Sequence, residues 1–462
     1  MSEPGRVGPD AQRRGLPRDE YNQQLMPVDP QEFLETIAPL LGWYYLALGG
    51  LNLGACWSSR RAGKPWPRPV AWLAFALLFT LLASLAFAGL PLELPDRFKT
   101  AVDAVLGPVM LTAGSFCTLA VFYLGRRWFV IPAVGWALLN ASLLFLGASL
   151  ADPHFAATVL KPDNVPILAM VYLLGFFTWL GAAQAVENDR RLQAGQPPTE
   201  EKLSATTLVW PDLVYIELIC TLILSAVLIV WSMALRAPLE QPANPAVTPN
   251  PSKAPWYFVG LQEMLVFFDP SIAGVLLPGL IILGLMAIPY LDRNPKGSGY
   301  YTIAQRRFGY VVFQLGFLQL WILLILIGTF FRGPNWSFFG LYEPRDPQKL
   351  AAMGNVKLSE AFWAVWLGRA VPQPANGGLA RLRAVLWREI PGLLLVGAYF
   401  VAVPILLGRT VLRSLRRQMG RARYWIMVLL LLMMIALPLK MVLRWTCNLS
   451  YVVSMPEYFF SF

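Results

Sequence analysis

Apolar residues in this chain fall into ten long stretches, separated by shorter segments rich in arginine, proline and glycine. The stretches run approximately over 34–57, 69–91, 104–125, 128–150, 164–186, 213–235, 271–291, 309–331, 391–412 and 424–446. Each is about the 20 residues that a helix needs to cross a hydrocarbon core of roughly 30 Å. The pattern predicts an all-α polytopic membrane protein with about 10 transmembrane helices. Gly50 and Gly54 on the first stretch, and Gly274, Gly279 and Gly284 on the seventh, read as helix-packing positions. Pro278 and Pro289 predict kinks in the seventh.

Polar segments divide the chain. Residues 1–33 form a polar N-terminal tail without the apolar core of a secretory signal. Residues 34–186 hold five spans, and 187–212 form a linker. Residues 213–340 carry the most distinctive motifs. Residues 341–388 belong to a large extrinsic loop, in which Ala361–Leu367 reads as a short amphipathic helix at the interface. Residues 389–462 hold two further spans and a tail.

Composition supports this organisation: 56% of the 462 residues are hydrophobic and 14% charged, against roughly 25% charged in a soluble domain. The net charge of +11 does not call for nucleic acid, because the basic residues alternate with the spans. Nineteen of the 38 lie in the short loops after spans 1, 3, 5, 7 and 9, from Arg60 to Arg423, and only five in the loops after spans 2, 4 and 6. The positive-inside rule then places the first set in the cytoplasm and both termini outside, in a membrane of the bacterial inner-membrane kind. Arg381, Arg383 and Arg388 sit on the outer side and run against the trend.

A single histidine, His154, and four cysteines without a CxxC spacing exclude a bis-histidine haem site, a c-type haem attachment and an iron–sulfur ligand run. His154 lies in an outer loop and is expected to have no chemical role. Glu217, inside the sixth span, is a candidate functional carboxylate or simply one close enough to the interface to reach water.

The candidate chemistry lies between Trp210 and Asp292. It begins Trp210-Pro211-Asp212-Leu213-Val214-Tyr215, continues after a span with Pro238-Leu239-Glu240-Gln241-Pro242-Ala243-Asn244-Pro245, and reaches Ala254-Pro255-Trp256-Tyr257-Phe258-Val259-Gly260-Leu261-Gln262-Glu263. The prolines set an extended path ending at the first turn of a helix, predicted over 255–268 on the outer face. Trp256, Tyr257, Phe258, Phe267 and Phe268 would give it an aromatic surface able, with Pro255, to hold a flat apolar ring, the Tyr257 hydroxyl supplying a hydrogen bond.

This ordered string resembles the C-terminal half of cytochrome b, the subunit IV-like chain of the cytochrome bc (quinol:cytochrome c oxidoreductase) family, over about 210–340. The resemblance implies part of an outward-facing quinol oxidation site in respiratory or photosynthetic electron transfer. It implies a quinol or quinone as ligand, a haem-binding cytochrome b chain as partner, and a Rieske-type iron–sulfur protein or c-type cytochrome beyond it. No haem or cluster is expected on this chain. Where the family has Pro-Glu-Trp-Tyr, this chain has Ala254-Pro255-Trp256-Tyr257, so the glutamate thought to accept a quinol proton is missing. Glu263 is the nearest carboxylate and the expected substitute, or else it is bonded to a partner subunit; Asp269 is a second candidate. Pro456-Glu457-Tyr458-Phe459 looks like a second copy of the motif but lacks its tryptophan and is read as chance. A quinone-binding anchor of another respiratory complex and a secondary transporter remain as alternatives.

Overall fold

The computed structural model describes residues 30–203, 208–234, 244–246, 248–294, 302–350, 354–374, 377–458 and 460–462. Most of the predicted tail, the 235–243 half of the proline-rich loop, Lys296 and Phe459 lie outside the described residues.

Helices stand at all ten predicted positions. They are α1 (Pro30–Arg61), α2 (Pro67–Phe87), the pair α3 (Asp96–Val105) and α4 (Pro108–Leu124), α5 (Pro132–Leu150), α6 (Val165–Gln193) and α7 (Val209–Ala234). After a short helix α8 (Trp256–Met264) come α9 (Ile272–Leu291), α10 (Ile303–Phe331), a short helix α11 (Gly378–Arg388), α12 (Ile390–Arg409) and α13 (Arg421–Cys447). Among the described residues, eight helices are long and apolar enough to cross a membrane, or nine if α3 and α4 count as one bent span. The helix α1 is 32 residues long but less apolar, with Trp43, Tyr44, Tyr45 and Asn52 in its middle.

Two departures from the expected boundaries, and one expected irregularity, have local causes. The stretch 104–125 is two helices at 77°, because Gly107 is extended and Pro108 begins a new first turn. In α9 the missing N–H of Pro278 is preceded by a widened turn, where Leu277 N–H reaches Ile272 O. The helix α6 runs on to Gln193, so the 187–212 linker begins as helix.

Two apolar clusters pack against α10. In the first, Ile37, Leu41 and Tyr45 of α1 and Phe79 and Leu82 of α2 join Phe330, Phe331 and Tyr342 from the end of α10 and the loop after it. The Ser149 and Tyr342 hydroxyls bond at 2.7 Å. The helices α1, α2 and α5 are thus docked on the end of α10 that leads into Arg332. In the second, Met264, Phe267, Phe268 and Ile272 pack against Leu320, Leu324 and Ile327 of α10 and Leu437 and Met441 of α13.

The extrinsic segment is tied down by short pairings. Val356–Lys357 runs parallel to Leu449–Tyr451, and Ser454–Met455 pairs antiparallel with Phe460–Ser461. The 361–367 segment is helical over Ala361–Trp366, with Val365 and Trp366 exposed. Arg388 is neutralised at 2.9 Å by Glu389 and at 2.8 Å by Glu457. Glu457, in the motif read as chance, therefore anchors the tail.

In contrast, α7 has no buried residue at all. A helix apolar on every side in this way faces lipid or another chain. Glu217 sits exposed on it, with no side-chain partner among the described residues.

Candidate functional site

The aromatic helix is shorter than predicted, Trp256–Met264 rather than 255–268, and is followed by tight turns through Phe268. Pro255 is extended and its carbonyl accepts from the N–H groups of Phe258 and Val259, closing the first turn. Gln262 fastens the approach to the helix: its Oε1 accepts from Ala254 N–H and its Nε2 donates to Ser252 O, both at 2.8 Å.

One face of α8 is buried and the other open. Val259, Gly260, Glu263 and Met264 face inward, the i, i+1, i+4, i+5 spacing of a single helical face. Close approach to α10 depends on two glycines. A Cβ on Gly260 would lie 3.2 Å from Ile325 Cγ1, and one on Gly328 would lie 3.0 Å from Val259 Cγ2 and 3.2 Å from the Val259 carbonyl oxygen. On the open side Trp256, Tyr257 and Phe258 are 41%, 46% and 53% exposed. Their rings stand 5.7 Å and 4.8 Å apart in edge and tilted contacts. The Tyr257 hydroxyl makes no hydrogen bond to another described residue, so its donor is available to a ligand.

Two of the expected site residues are elsewhere. Phe267 is buried, its ring 5.4 Å from Trp445 and nearly perpendicular to it. It belongs to the core and not to the aromatic surface, because the chain leaves the helix after Met264 and turns it inward. Glu263 is fully buried under the helix. Its Oε1 accepts from Arg332 Nη2 at 2.6 Å, and its Oε2 from Arg332 Nε at 2.9 Å and Trp336 Nε1 at 3.1 Å. This is a two-pronged carboxylate–guanidinium pair with a third donor on the same oxygen. A carboxylate so placed is sealed beneath α8, and the partners it has are in its own chain. Asp269 is also engaged, accepting from Ser271 N–H and Oγ at the start of α9.

Arg332 and Trp336 were not legible as site residues. Arg332 follows α10 directly, its N–H bonding back to Ile327 O five residues earlier, which rotates the side chain inward under α8. Asn335 and Trp336 both adopt left-handed backbone, with φ of 56° and 54°. That tight turn lets the Trp336 carbonyl accept from Arg332 Nη1 at 2.9 Å while its indole reaches Glu263. The same turn receives the proline-rich loop. Asn250 and Asn335 exchange hydrogen bonds, Nδ2 to Oδ1 at 2.9 Å and N–H to Oδ1 at 2.7 Å.

Lys253 Nζ donates to Thr329 O at 2.8 Å, a cation at the carbonyl end of α10. Desolvation, together with Arg345, Lys161 and Arg332, lowers its pKa to about 7, against a smaller opposing effect of Glu263. His154 is part of a separate helix cap between α5 and α6. Asp152 accepts from the His154 and Phe155 N–H groups and pairs with Lys99 at 2.8 Å, and burial lowers the imidazole pKa. Among the described residues no group of three or more His, Cys, Asp or Glu side chains is placed to hold a metal ion.

Residues 242–340 match the family model described as Cytochrome b(C-terminal)/b6/petD. The match holds Lys253, the whole of α8, and Arg332 and Trp336. It covers less than a quarter of the chain and begins after α7, so the Trp210–Tyr215 entry lies outside it. No solved structure matches the chain. The chain is an integral membrane protein with a cytochrome b C-terminal-type region at its centre.

Proposed function

We propose that this chain is a subunit of a cytochrome bc-type complex and supplies the open face of α8 to an outward-facing quinol oxidation site. The observation that carries the reading is the pairing of an exposed aromatic triplet with a sealed anchor beneath it. Trp256, Tyr257 and Phe258 stand free on a helix whose inner face is locked by Glu263, Arg332 and Trp336. In this reading a quinol ring stacks on the triplet and Tyr257 Oη hydrogen-bonds a ring oxygen. Glu263 is reassigned from proton acceptor to positioning residue, since it is fully buried and three of its four lone-pair directions go to Arg332 and Trp336. The triplet is an open surface, so another chain completes the site. One histidine leaves haem ligation to a separate cytochrome b chain; the quinol's two electrons pass to that chain's haem and to an iron–sulfur protein or c-type cytochrome outside, and its two protons are released on the outer side.

The test combines spectroscopy and turnover. The chain purified alone shows no haem band, whereas its native complex shows b-type bands reduced by added quinol. Phe258→Ala lowers quinol-dependent reduction while haem content stays constant. Stoichiometric haem on the isolated chain, or unchanged quinol reduction in the Phe258→Ala complex, overturns the proposal.

A further inference from the structure

A second feature lies at the opposite end of α12 and α13 from the Arg388–Glu457 pair. Between Glu389 and Glu457 the chain has no acidic residue. The turn joining the two helices carries Arg409, Arg413, Arg416, Arg417, Arg421 and Arg423, with no lysine among them. This turn is folded. After Thr410 ends α12, a short helix, Arg413–Met419, lies between the two spans, and Gly420 at φ 78° starts α13. Leu412 and Met419 are buried, and Leu412 and Leu415 pack with Tyr424 and Val428 of α13. Tyr424 Oη donates to Pro404 O at 2.6 Å across the junction. The apolar side of the turn is therefore seated on the two spans; Arg409, Arg413, Arg417 and Arg421 are exposed, and Arg416 and Arg423 are half-buried, the stem of Arg416 lying beside Gly408.

The other basic loops on this side satisfy some of their cations internally. Arg60 and Arg61 lie over the rings of Trp66 and Trp57, and Arg126 lies over Tyr123. Arg191 donates to Pro197 O and Arg306 pairs with Asp292 at 2.6 Å. In the α12–α13 turn none of the six guanidinium groups makes a hydrogen bond, ion pair or ring contact among the described residues. A topology signal needs only positive charge, and lysine serves it equally well. Six unpaired arginines on an anchored scaffold at the membrane surface match a different requirement, the planar two-pronged recognition of phosphate oxygens. Basic clusters immediately beside a transmembrane helix are placed to meet anionic headgroups.

We propose that the arginine turn between α12 and α13 is a binding site for the phosphate headgroup of an anionic phospholipid. The site is independent of the quinol reading, since it lies on separate helices and at the other membrane face.

The test uses the full chain purified in neutral detergent and measures retained lipid by native mass spectrometry, before and after adding phosphatidylglycerol, phosphatidylcholine or inorganic phosphate. The wild type is expected to retain phosphatidylglycerol over phosphatidylcholine. R413Q/R416Q/R417Q is expected to lose that retention at least tenfold, while R381Q/R383Q on the opposite face keeps it. R413K/R416K/R417K preserves charge and insertion but not the guanidinium fork, and is expected to weaken retention several-fold. That variant carries the test if the glutamine variant fails to fold. Equal retention by the glutamine or lysine variant overturns the proposal, as does displacement of the lipid by millimolar inorganic phosphate.

Discussion

Glu263→Gln exchanges a carboxylate that only accepts for an amide that must also donate. All three groups facing it are donors: Arg332 Nη2, Arg332 Nε and Trp336 Nε1. If the amide oxygen keeps Arg332 Nε and Trp336, its NH2 faces Nη2 at the 2.6 Å position; turned over, it faces the other two. Either way Arg332, 2% exposed, loses its counter-charge. A buried pair broken on one side costs about 3–5 kcal/mol, the expected loss measured by denaturant unfolding of the purified chain in detergent. The partner experiment is Glu263→Leu with Arg332→Met, which removes both charges. An apolar replacement of a buried pair is often neutral, and half-buried Trp336 can turn its N–H to water, so the double variant should recover most of the loss. Quinol turnover in the assembled complex should recover with it, because the carboxylate positions α8 and takes no proton. A loss below about 1 kcal/mol for Glu263→Gln, or a double variant no more stable than the single one, refutes the anchor. A stable double variant without turnover refutes the positioning role.

The other expectations follow from the same geometry. Tyr257→Phe removes one hydroxyl from an exposed ring; quinol affinity should fall up to about tenfold, the worth of one hydrogen bond of about 0.5–1.5 kcal/mol, with unfolding unchanged. Gly328→Leu drives a side chain into Val259 and should destabilise the chain by about 1–3 kcal/mol, read as a lower unfolding midpoint. Lys253 has its pKa lowered from 10.5 to about 7 in the fold. Between those values the unfolded chain binds a proton that the folded chain does not, so this group makes stability rise with pH across about 7 to 10.5. Lys253→Met should flatten that rise, and an unchanged pH profile of unfolding would dismiss the effect.

Hydrophobic stretches announced the spans because in a bilayer each helix must satisfy its own backbone and face apolar surroundings. The stretches 271–291 and 424–446 therefore fall within a few residues of Ile272–Leu291 and Arg421–Cys447. The bend at Gly107–Pro108 also carries a local signal, a glycine–proline pair, outweighed by the length of the apolar run around it. The site was legible only on its open side. Trp256, Tyr257 and Phe258 are marked by local composition, but the Glu263–Arg332 pair joins residues 69 apart in sequence. It forms because Arg332 closes α10 with a wide turn and two left-handed residues follow, and neither has a periodic signature. Phe267 was misplaced for a related reason. Helical periodicity extended past Met264 puts it on the same surface, whereas the chain has already left the helix.

The bareness of α7 has a consequence for how variants of this protein will sort. Since none of its side chains is buried against the described residues, conservative apolar substitutions along it should leave this chain's own unfolding nearly unchanged. A defect that arises there while the purified chain unfolds as before is a defect of association with a neighbour or with lipid. The 26 residues of Val209–Ala234 are thus a built-in reporter of assembly, with little background from internal packing to subtract.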